Sequence, residues 1–284
     1  MTSDGETRLN SNPAASRSPT PAVSVRHISL AFEDKVVLGD VSFELRAGET
    51  LILLGVTGSG KSVLLKLLLG LLKPDSGQVL IEGNDLGPLE ETELFPIRRR
   101  MGIVFQEGAL FDSLSVFENV AYRLREDGEK DEERIEQRVR EVLRFVELEQ
   151  TLEKMPAELS GGMRRRVSIA RAIVSEPSIM LYDSPTAGLD PVTAHTINVL
   201  IAKLRDVQRV STLVVTHRIA DAYALANFSY SPEKLDLVPS APDDGAGGRS
   251  PSRFLVLREG AVYFWGSGEE LAGTRDPYLR GFLG

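Results

Sequence analysis

The stretch LILLGVTGSGKS, residues 51–62, decides the fold. It opens as a short apolar strand, and Gly55 through Ser62 then satisfy the spacing Gly-x-x-x-x-Gly-Lys-Ser, with a leucine-rich helix expected to begin near Lys61. A chance match to that spacing arises in about one sequence of this length in a hundred. Strand, loop and helix in that order are also what the chemistry requires. Glycine lets the backbone N–H groups of Gly55, Val56, Thr57, Gly58, Ser59 and Gly60 turn inward around phosphates, and the helix N-terminus adds partial positive charge. Lys61 is placed to reach the β- and γ-phosphates of a nucleoside triphosphate, and the Ser62 hydroxyl to ligate Mg2+.

Outward from the loop, the same strand-to-helix order recurs after RRRMGIVFQ and around SIMLYDS and STLVVTH, which predicts an α/β fold with a mainly parallel central sheet. Before it, AVSVRHISLAF and VVLGDVSFEL flank the polar turn Glu33-Asp34-Lys35 and read as a β-hairpin. Between Gln106 and Arg171 the strand signal vanishes. There, Ile135, Val139, Val142, Leu143 and Val146 form one helical stripe, with Asp131 near its cap, so residues 106–170 are expected to be an inserted helical subdomain. FLVLREGAVYFWGS reads as a second short hairpin.

Composition bounds the function. With 284 residues and 42% hydrophobic content the chain can bury a large core, while a net charge of −8 argues against nucleic acid as a partner. Cysteine is absent and histidine occurs three times, which leaves no ligand spacing for zinc. Residues 1–22, rich in Ser, Thr, Pro and Asn, read as a disordered tail, and residues 229–253, with four prolines and several glycines, as a mobile insertion without a packed core. The apolar run VLLKLLLGLL is too short to span a bilayer. The folded domain is thus expected over 23–272, and the apolar residues of 273–284 suggest a C-terminal docking tail. The triplets Arg98 to Arg100 and Arg164 to Arg166 read as charge on a solvated helix face or strand edge, and His27 and His195 show no partner.

Two further elements carry chemistry. Asp183 ends the apolar run IMLY, where open α/β sheets place their ligands, and can hold Mg2+ through water. LSGGM, residues 159–163, opens a basic helix with a Ser-Gly-Gly turn. Together with the phosphate loop, Gln106 in VFQEG, AGLD ending at Asp190 and His217 in VVTH, these motifs stand in the order of the ATP-binding-cassette ATPases, which the chain resembles over roughly residues 23–217. The resemblance implies a P-loop NTPase with a RecA-like core, an N-terminal antiparallel β subdomain and a head-to-tail dimer of cassettes with ATP and Mg2+ between them. Mapped here, Ser160, Gly161 and Gly162 would cap the γ-phosphate across the dimer. Gln106 would sense Mg2+ and the attacking water, His217 would contact the γ-phosphate, Asp190 would belong to the nucleotide site, and Phe32 would stack on adenine.

FQEGALFDSLSVFENVAYRLRE, the methionine of LSGGM and the ending DPYLRGFLG resemble more narrowly the cassettes of Mce/Mla-type transporters, which move phospholipids or other hydrophobic molecules. That resemblance implies an inner-membrane permease, a periplasmic Mce-domain protein and a STAS-domain subunit, with the cassette on the cytoplasmic face. The insertion at 229–253 departs from it. So does Ser184, which stands directly after Asp183 where most of the family has a glutamate that polarises the attacking water. A serine hydroxyl is no base near neutrality, and its loss of basicity is expected to cost on the order of 10² to 10⁴ in rate. Three readings follow: a slow ATPase in which Gln106, His217 or Glu107 orients the water, a cassette that binds ATP and holds it, or an engineered trap. An ATPase of polar-solute import is the alternative within transporters.

Overall fold

A computed structural model describes residues 20–240 and 252–283. Strands β1 (Val23–Phe32) and β2 (Lys35–Leu45) form the expected antiparallel hairpin, closed by Glu33 and Asp34. β3 (Thr50–Leu54) runs into the phosphate loop and α1 (Lys61–Leu68). β4 (Ser76–Ile81) and β5 (Asn84–Asp85) extend the first sheet to the order β2-β1-β4-β5, and α2 (Glu91–Arg99) leads to β6 (Met101–Val104).

The helical subdomain follows as α3 (Val116–Glu126), α4 (Glu132–Phe145) and α5 (Gly161–Ile173). Asp131 caps α4 by accepting from the backbone N–H groups of Glu133 and Arg134, and the whole predicted stripe of Ile135, Val139, Val142, Leu143 and Val146 is buried. β7 (Ile179–Asp183), α6 (Pro191–Gln208), β8 (Ser211–Val215) and α7 (Ile219–Asn227) complete the parallel layer.

A short hairpin of β9 (Phe228–Ser231) and β10 (Asp236–Pro239) comes next. β11 (Ser252–Arg258) and β12 (Ala261–Gly266) then return to the sheet edge, and α8 (Gly268–Ala272) and α9 (Pro277–Leu283) close the chain.

The second sheet has the order β12-β11-β3-β8-β7-β6, parallel except for the antiparallel edge strand β12. β3 and β8 are buried at every position, as a sheet covered on both faces demands. Period-two alternation sorts their side chains into two cores. Ile52, Leu54, Met180, Tyr182 and Val214 face the helical side, and Leu51, Leu53, Leu181, Leu213 and Val215 face α1 and the β subdomain. Each fully buried aliphatic side chain contributes about 1.5–3 kcal/mol. The parallel strands therefore form a stiff platform, and their carboxyl ends deliver the phosphate loop, Gln106, Asp183 and His217 to one edge.

Some expectations are corrected. The described part of the segment 229–253 adds no residue to either core, but it forms β9 and β10, tied to α6 by Arg205, whose guanidinium donates to the carbonyl of Phe228 at 2.8 Å, and by Asp206, which accepts from the N–H of Tyr230 at 2.8 Å. Residues 241–251 lie outside the described residues. The tail assigned to 1–22 also lies outside them for the most part, but Ala22 is buried in the core and its carbonyl accepts from the N–H of Glu82.

The arginine triplets are not merely solvated charge. Arg165 is buried and donates to the carbonyl of Phe105 at 2.7 Å, and Arg98 donates to that of Leu69 at 2.8 Å. Arg164 and Arg166 likewise reach backbone carbonyls, of Leu159 and Val146. His27 and His195 do have partners, Asp40 and Asp236, each at 2.7 Å, the first across the β1–β2 hairpin and the second from α6 to β10. The C-terminal segment docks on its own chain: Leu279 is buried in the helical-side core and Tyr278 packs edge-on against Tyr263.

Candidate functional site

The phosphate loop is shaped by what its glycines avoid. At Gly60, with φ 101°, a Cβ would lie 2.6 Å from Leu38 Cδ2, and at Gly55 it would lie 2.7 Å from the carbonyl oxygen of Leu257. Gly60 supplies no side-chain cap to α1, so the first-turn N–H groups of this helix remain open toward the loop. Lys61 lies across the loop and donates to the carbonyls of Gly55 and Val56, both at 2.8 Å. Its ammonium is held below the usual lysine range by burial, partly offset by the negative charge of Asp183.

A cleft of about 830 Å3 gathers Thr57, Gly58, Gly60, Lys61 and Ser62 with Gln106, Asp183, Ser184 and His217. These residues come from the ends of four strands. The cleft continues past the phosphate loop to Lys35, Val36 and Val37 at the start of β2 and to Glu259 and Gly260 in the β11–β12 turn. Phe32 pairs with Lys35 at the mouth of that hairpin and is 47% exposed, so it is no core phenylalanine.

Asp183 is half-buried, and burial pushes its carboxyl above the ordinary range; the Ser184 hydroxyl and the charges of Lys61 and Arg165 act the other way. Ser184 itself is 7% exposed, with a left-handed φ of 49°. Its N–H donates to the carbonyl of Val215 at 2.8 Å, and its hydroxyl donates to Asp183 Oδ1 at 3.4 Å. That donation leaves Ser184 as a partner of the acid beside it and gives it no basic character.

The remaining residues expected at the site lie elsewhere in this chain. Ser160 is the N-cap of α5, accepting from the N–H of Met163 at 3.2 Å, and Gly162 allows close approach to α6, where a Cβ would sit 2.3 Å from Thr193 Cγ2. Gly161 begins the same helix against Leu189, and none of the three lines the cleft. Asp190 is also outside it. Its carboxylate caps α6, accepting from the N–H groups of Val192 and Thr193 at 3.0 Å and from the Thr193 hydroxyl, which holds it below the usual carboxylate range.

Sequence reasoning missed the residues that hold these groups in place. Arg165 and Arg171 of α5 donate to the carbonyls of Phe105 and Gly108, clasping the turn that carries Gln106 from both sides. Behind His217, the buried carboxylate of Asp221 accepts from Asn198 at 2.8 Å and from the Thr186 hydroxyl, while Arg218 donates to the carbonyl of Thr186 at 3.0 Å. This network joins the segment after Ser184 to the segment after His217. Each of its members is a common residue type with no motif around it, so only tertiary proximity reveals the connection.

On the other side of the Gln106 turn lies an open groove of about 470 Å3. Phe95, Phe105, Phe111 and Tyr122 line it, each at least 39% exposed, and the rings of Phe111 and Tyr122 pack at 4.8 Å with their planes tilted by 52°. Among the described residues no helix is long and apolar enough to cross a membrane.

A parallel sheet that presents a phosphate loop, an acidic strand end and a histidine to one cleft, with an inserted helical subdomain, defines a P-loop ATPase of the cassette class. The chain belongs to the ABC transporter family, whose family model matches residues 38–187. It is 41% identical over 92% of its length to a probable ribonucleotide transport ATP-binding protein mkl of Mycobacterium leprae, covering 68% of that protein. It is 36% identical over 73% of its length to the intermembrane phospholipid transport system ATP-binding protein MlaF of Haemophilus influenzae, covering 79% of it, and 31% identical over 92% to MlaF of Escherichia coli, covering 88%. Among solved structures, the dimeric post-hydrolysis state of the ATP-binding cassette MJ0796 bound to ADP and Pi superposes with a TM-score of 0.71 at 30% identity, covering 86% of this chain and 98% of that one.

Proposed function

We propose that this chain is the ATP-hydrolysing subunit of a transporter that moves phospholipid or another hydrophobic molecule across a bacterial envelope. The observation that carries the coupling is the adjacency of Phe105 and Gln106: one lines the groove of aromatic and charged side chains and the next lines the nucleotide cleft. A shift of the Gln106 turn as the γ-phosphate is bound or lost is then felt directly in the groove. The groove is the docking surface for an inner-membrane permease, which places the chain on the cytoplasmic face of that membrane. The phospholipid cargo rests on the likeness to the two MlaF proteins, and Mce-domain and STAS-domain subunits are the further partners of that reading. A second copy of the cassette, packed head to tail, brings the helix start at Ser160, Gly161 and Gly162 to the cleft.

The donor set suits Mg2+. No group of three or more His, Cys, Asp or Glu side chains forms a metal cage among the described residues, and the cleft instead offers one carboxylate, Asp183, with the Ser62 hydroxyl and the Gln106 amide. Mg2+ takes such sparse oxygen sites and completes its shell with waters and substrate phosphates. The raised pKa of Asp183 points the same way, since a cation beside it would relieve the cost of its charge. When bound, Mg2+ neutralises developing charge on the phosphates. Lys61 and the loop amides hold the phosphates, and Gln106 and His217 orient water, with Ser184 contributing no base.

Single-turnover ATP hydrolysis by the chain assembled with its permease tests this reading. Slow hydrolysis that disappears in Lys61→Ala, and that rises on the order of 10²-fold or more in Ser184→Glu, is the expected result. No hydrolysis until Ser184→Glu restores it would replace it with a cassette that binds ATP and holds. A second reading, a polar cargo, is favoured by the likeness to mkl. Transport assays in vesicles, with labelled phospholipid against labelled ribonucleotide, separate the two.

A further inference from the structure

The wall of the cleft formed by β2 and the β11–β12 turn carries a carboxylate outside the set of groups that can hold phosphates. Glu259 lines the cleft from the β11–β12 turn, together with Lys35, Val36 and Val37. The turn is fixed. Gly39 N–H donates to the carbonyl of Gly260 at 2.9 Å, and Gly260, at φ 79°, sits so close to β2 that a Cβ there would lie 2.5 Å from the carbonyl oxygen of Val37. Glu259 adopts a left-handed φ of 51°, a conformation that costs a non-glycine residue free energy. Its side chain is 84% exposed.

Among the described residues its one ion-pair contact is a loose one, with Arg258 at 3.5 Å. The Arg258 guanidinium also lies over the rings of Tyr263 at 5.1 Å and Tyr278 at 4.4 Å, the latter on α9. A carboxylate accepts through two oxygens, so Glu259 keeps acceptor capacity beyond that pair.

Electrostatics decides which part of a nucleotide it meets. A carboxylate beside a triphosphate would repel it, and the triphosphate belongs on Lys61, Ser62, Gln106 and His217, which line the same cleft. The nucleoside is left to lie along Lys35, Val36 and Glu259. The ribose presents two vicinal hydroxyl donors there, and an ionised carboxylate is an acceptor through both oxygens. An acidic side chain meets the ribose 2′-hydroxyl in the same way in dinucleotide-binding folds. We propose that Glu259 accepts hydrogen bonds from the ribose hydroxyls of the bound nucleotide and makes this cleft select ribonucleotides over 2′-deoxyribonucleotides. The proposal rests on the reading of the cleft as an ATP site.

Equilibrium binding of ATP, 2′-deoxy-ATP and GTP to the full chain, native and with Glu259→Ala or Glu259→Gln, tests it. The native chain is expected to hold ATP about fivefold more tightly than 2′-deoxy-ATP, the size of one exposed charge-assisted hydrogen bond. Glu259→Ala brings the ratio close to one by weakening ATP alone, and Glu259→Gln, which keeps an acceptor without the charge, retains part of it. Three outcomes overturn the proposal while leaving the ATP site standing: no discrimination by the native chain, equal loss of both nucleotides in the variants, or a change confined to ATP against GTP, which would place the carboxylate on the base. No ATP binding by the native chain would overturn the ATP reading as well.

Discussion

Asp183 is an acid that the fold holds against its preference. Burial raises its carboxyl above the ordinary range, and Lys61 and Arg165 only partly compensate. A raised folded-state pKa means that the protonated form is the one the fold favours. That contribution is present below the ordinary carboxyl value and is lost as pH rises through the raised one, so the nucleotide-free chain carries an unfavourable ionised Asp183 at neutral pH. Asp183→Asn is expected to raise the melting temperature of the nucleotide-free chain at pH 7 and to shrink its loss of stability on going up from acid pH, while abolishing hydrolysis. A melting temperature below the native value at pH 7 would refute this. Such a trade of stability for function is typical of a site built to receive a cation. Position 183 was legible because an acid at the end of an apolar strand, beside a phosphate loop, has a chemical reason to be there. The network of Asp221, Asn198, Thr186 and Arg218 was not, since those residues are joined only by the fold.

At the scale of elements, the hairpin of β9 and β10 shows where composition misleads. Prolines and glycines concentrated between 229 and 253 argue against a packed core, and β9 and β10 contribute no residue to either core cluster. Polar anchors hold it instead. Arg205, with a side chain 3% exposed, pairs with Asp206 at 2.6 Å and donates to the carbonyls of Leu225 and Phe228, which fixes the end of α7 and the start of β9 on α6. His195 of α6 meets Asp236 of β10 at 2.7 Å. A buried arginine that serves backbone carbonyls has no signature in a hydropathy pattern, whereas the stripe of α4 and the alternation of β1 and β2 do. Arg205→Met keeps the apolar stem and removes the donors. It is expected to destabilise the chain by about 3 kcal/mol, the order seen when one member of a buried polar network is removed. Urea denaturation reads the change, with a loss below about 1 kcal/mol counting against the anchor.

At the scale of the molecule, the two faces of the parallel sheet do different work. The face toward α1 closes the nucleotide cleft, and the face toward the helical subdomain supports α5, whose arginines hold the Gln106 turn. The order of elements was legible because the phosphate loop, Gln106, Asp183 and His217 each sit at a strand end; the groove was not, because Phe95, Phe105, Phe111 and Tyr122 are spread over 28 positions and meet only when α2, β6 and α3 pack. Exposed aromatics gathered beside the Gln106 turn have the character of an interface core, where an aromatic anchor is commonly worth about 2 kcal/mol or more. Phe111→Ser combined with Tyr122→Ser removes two rings in contact, 42% exposed each, from the groove wall. Two such anchors lost together weaken association with the permease by roughly 10²-fold or more, whereas half-exposed positions of this kind change the stability of the isolated chain by far less than a core cavity does. Co-purification with the permease, read beside the melting temperature of the variant, separates the two effects: lost association with a melting temperature within a few degrees of the native one places the permease on this groove, and undiminished association moves it to another face.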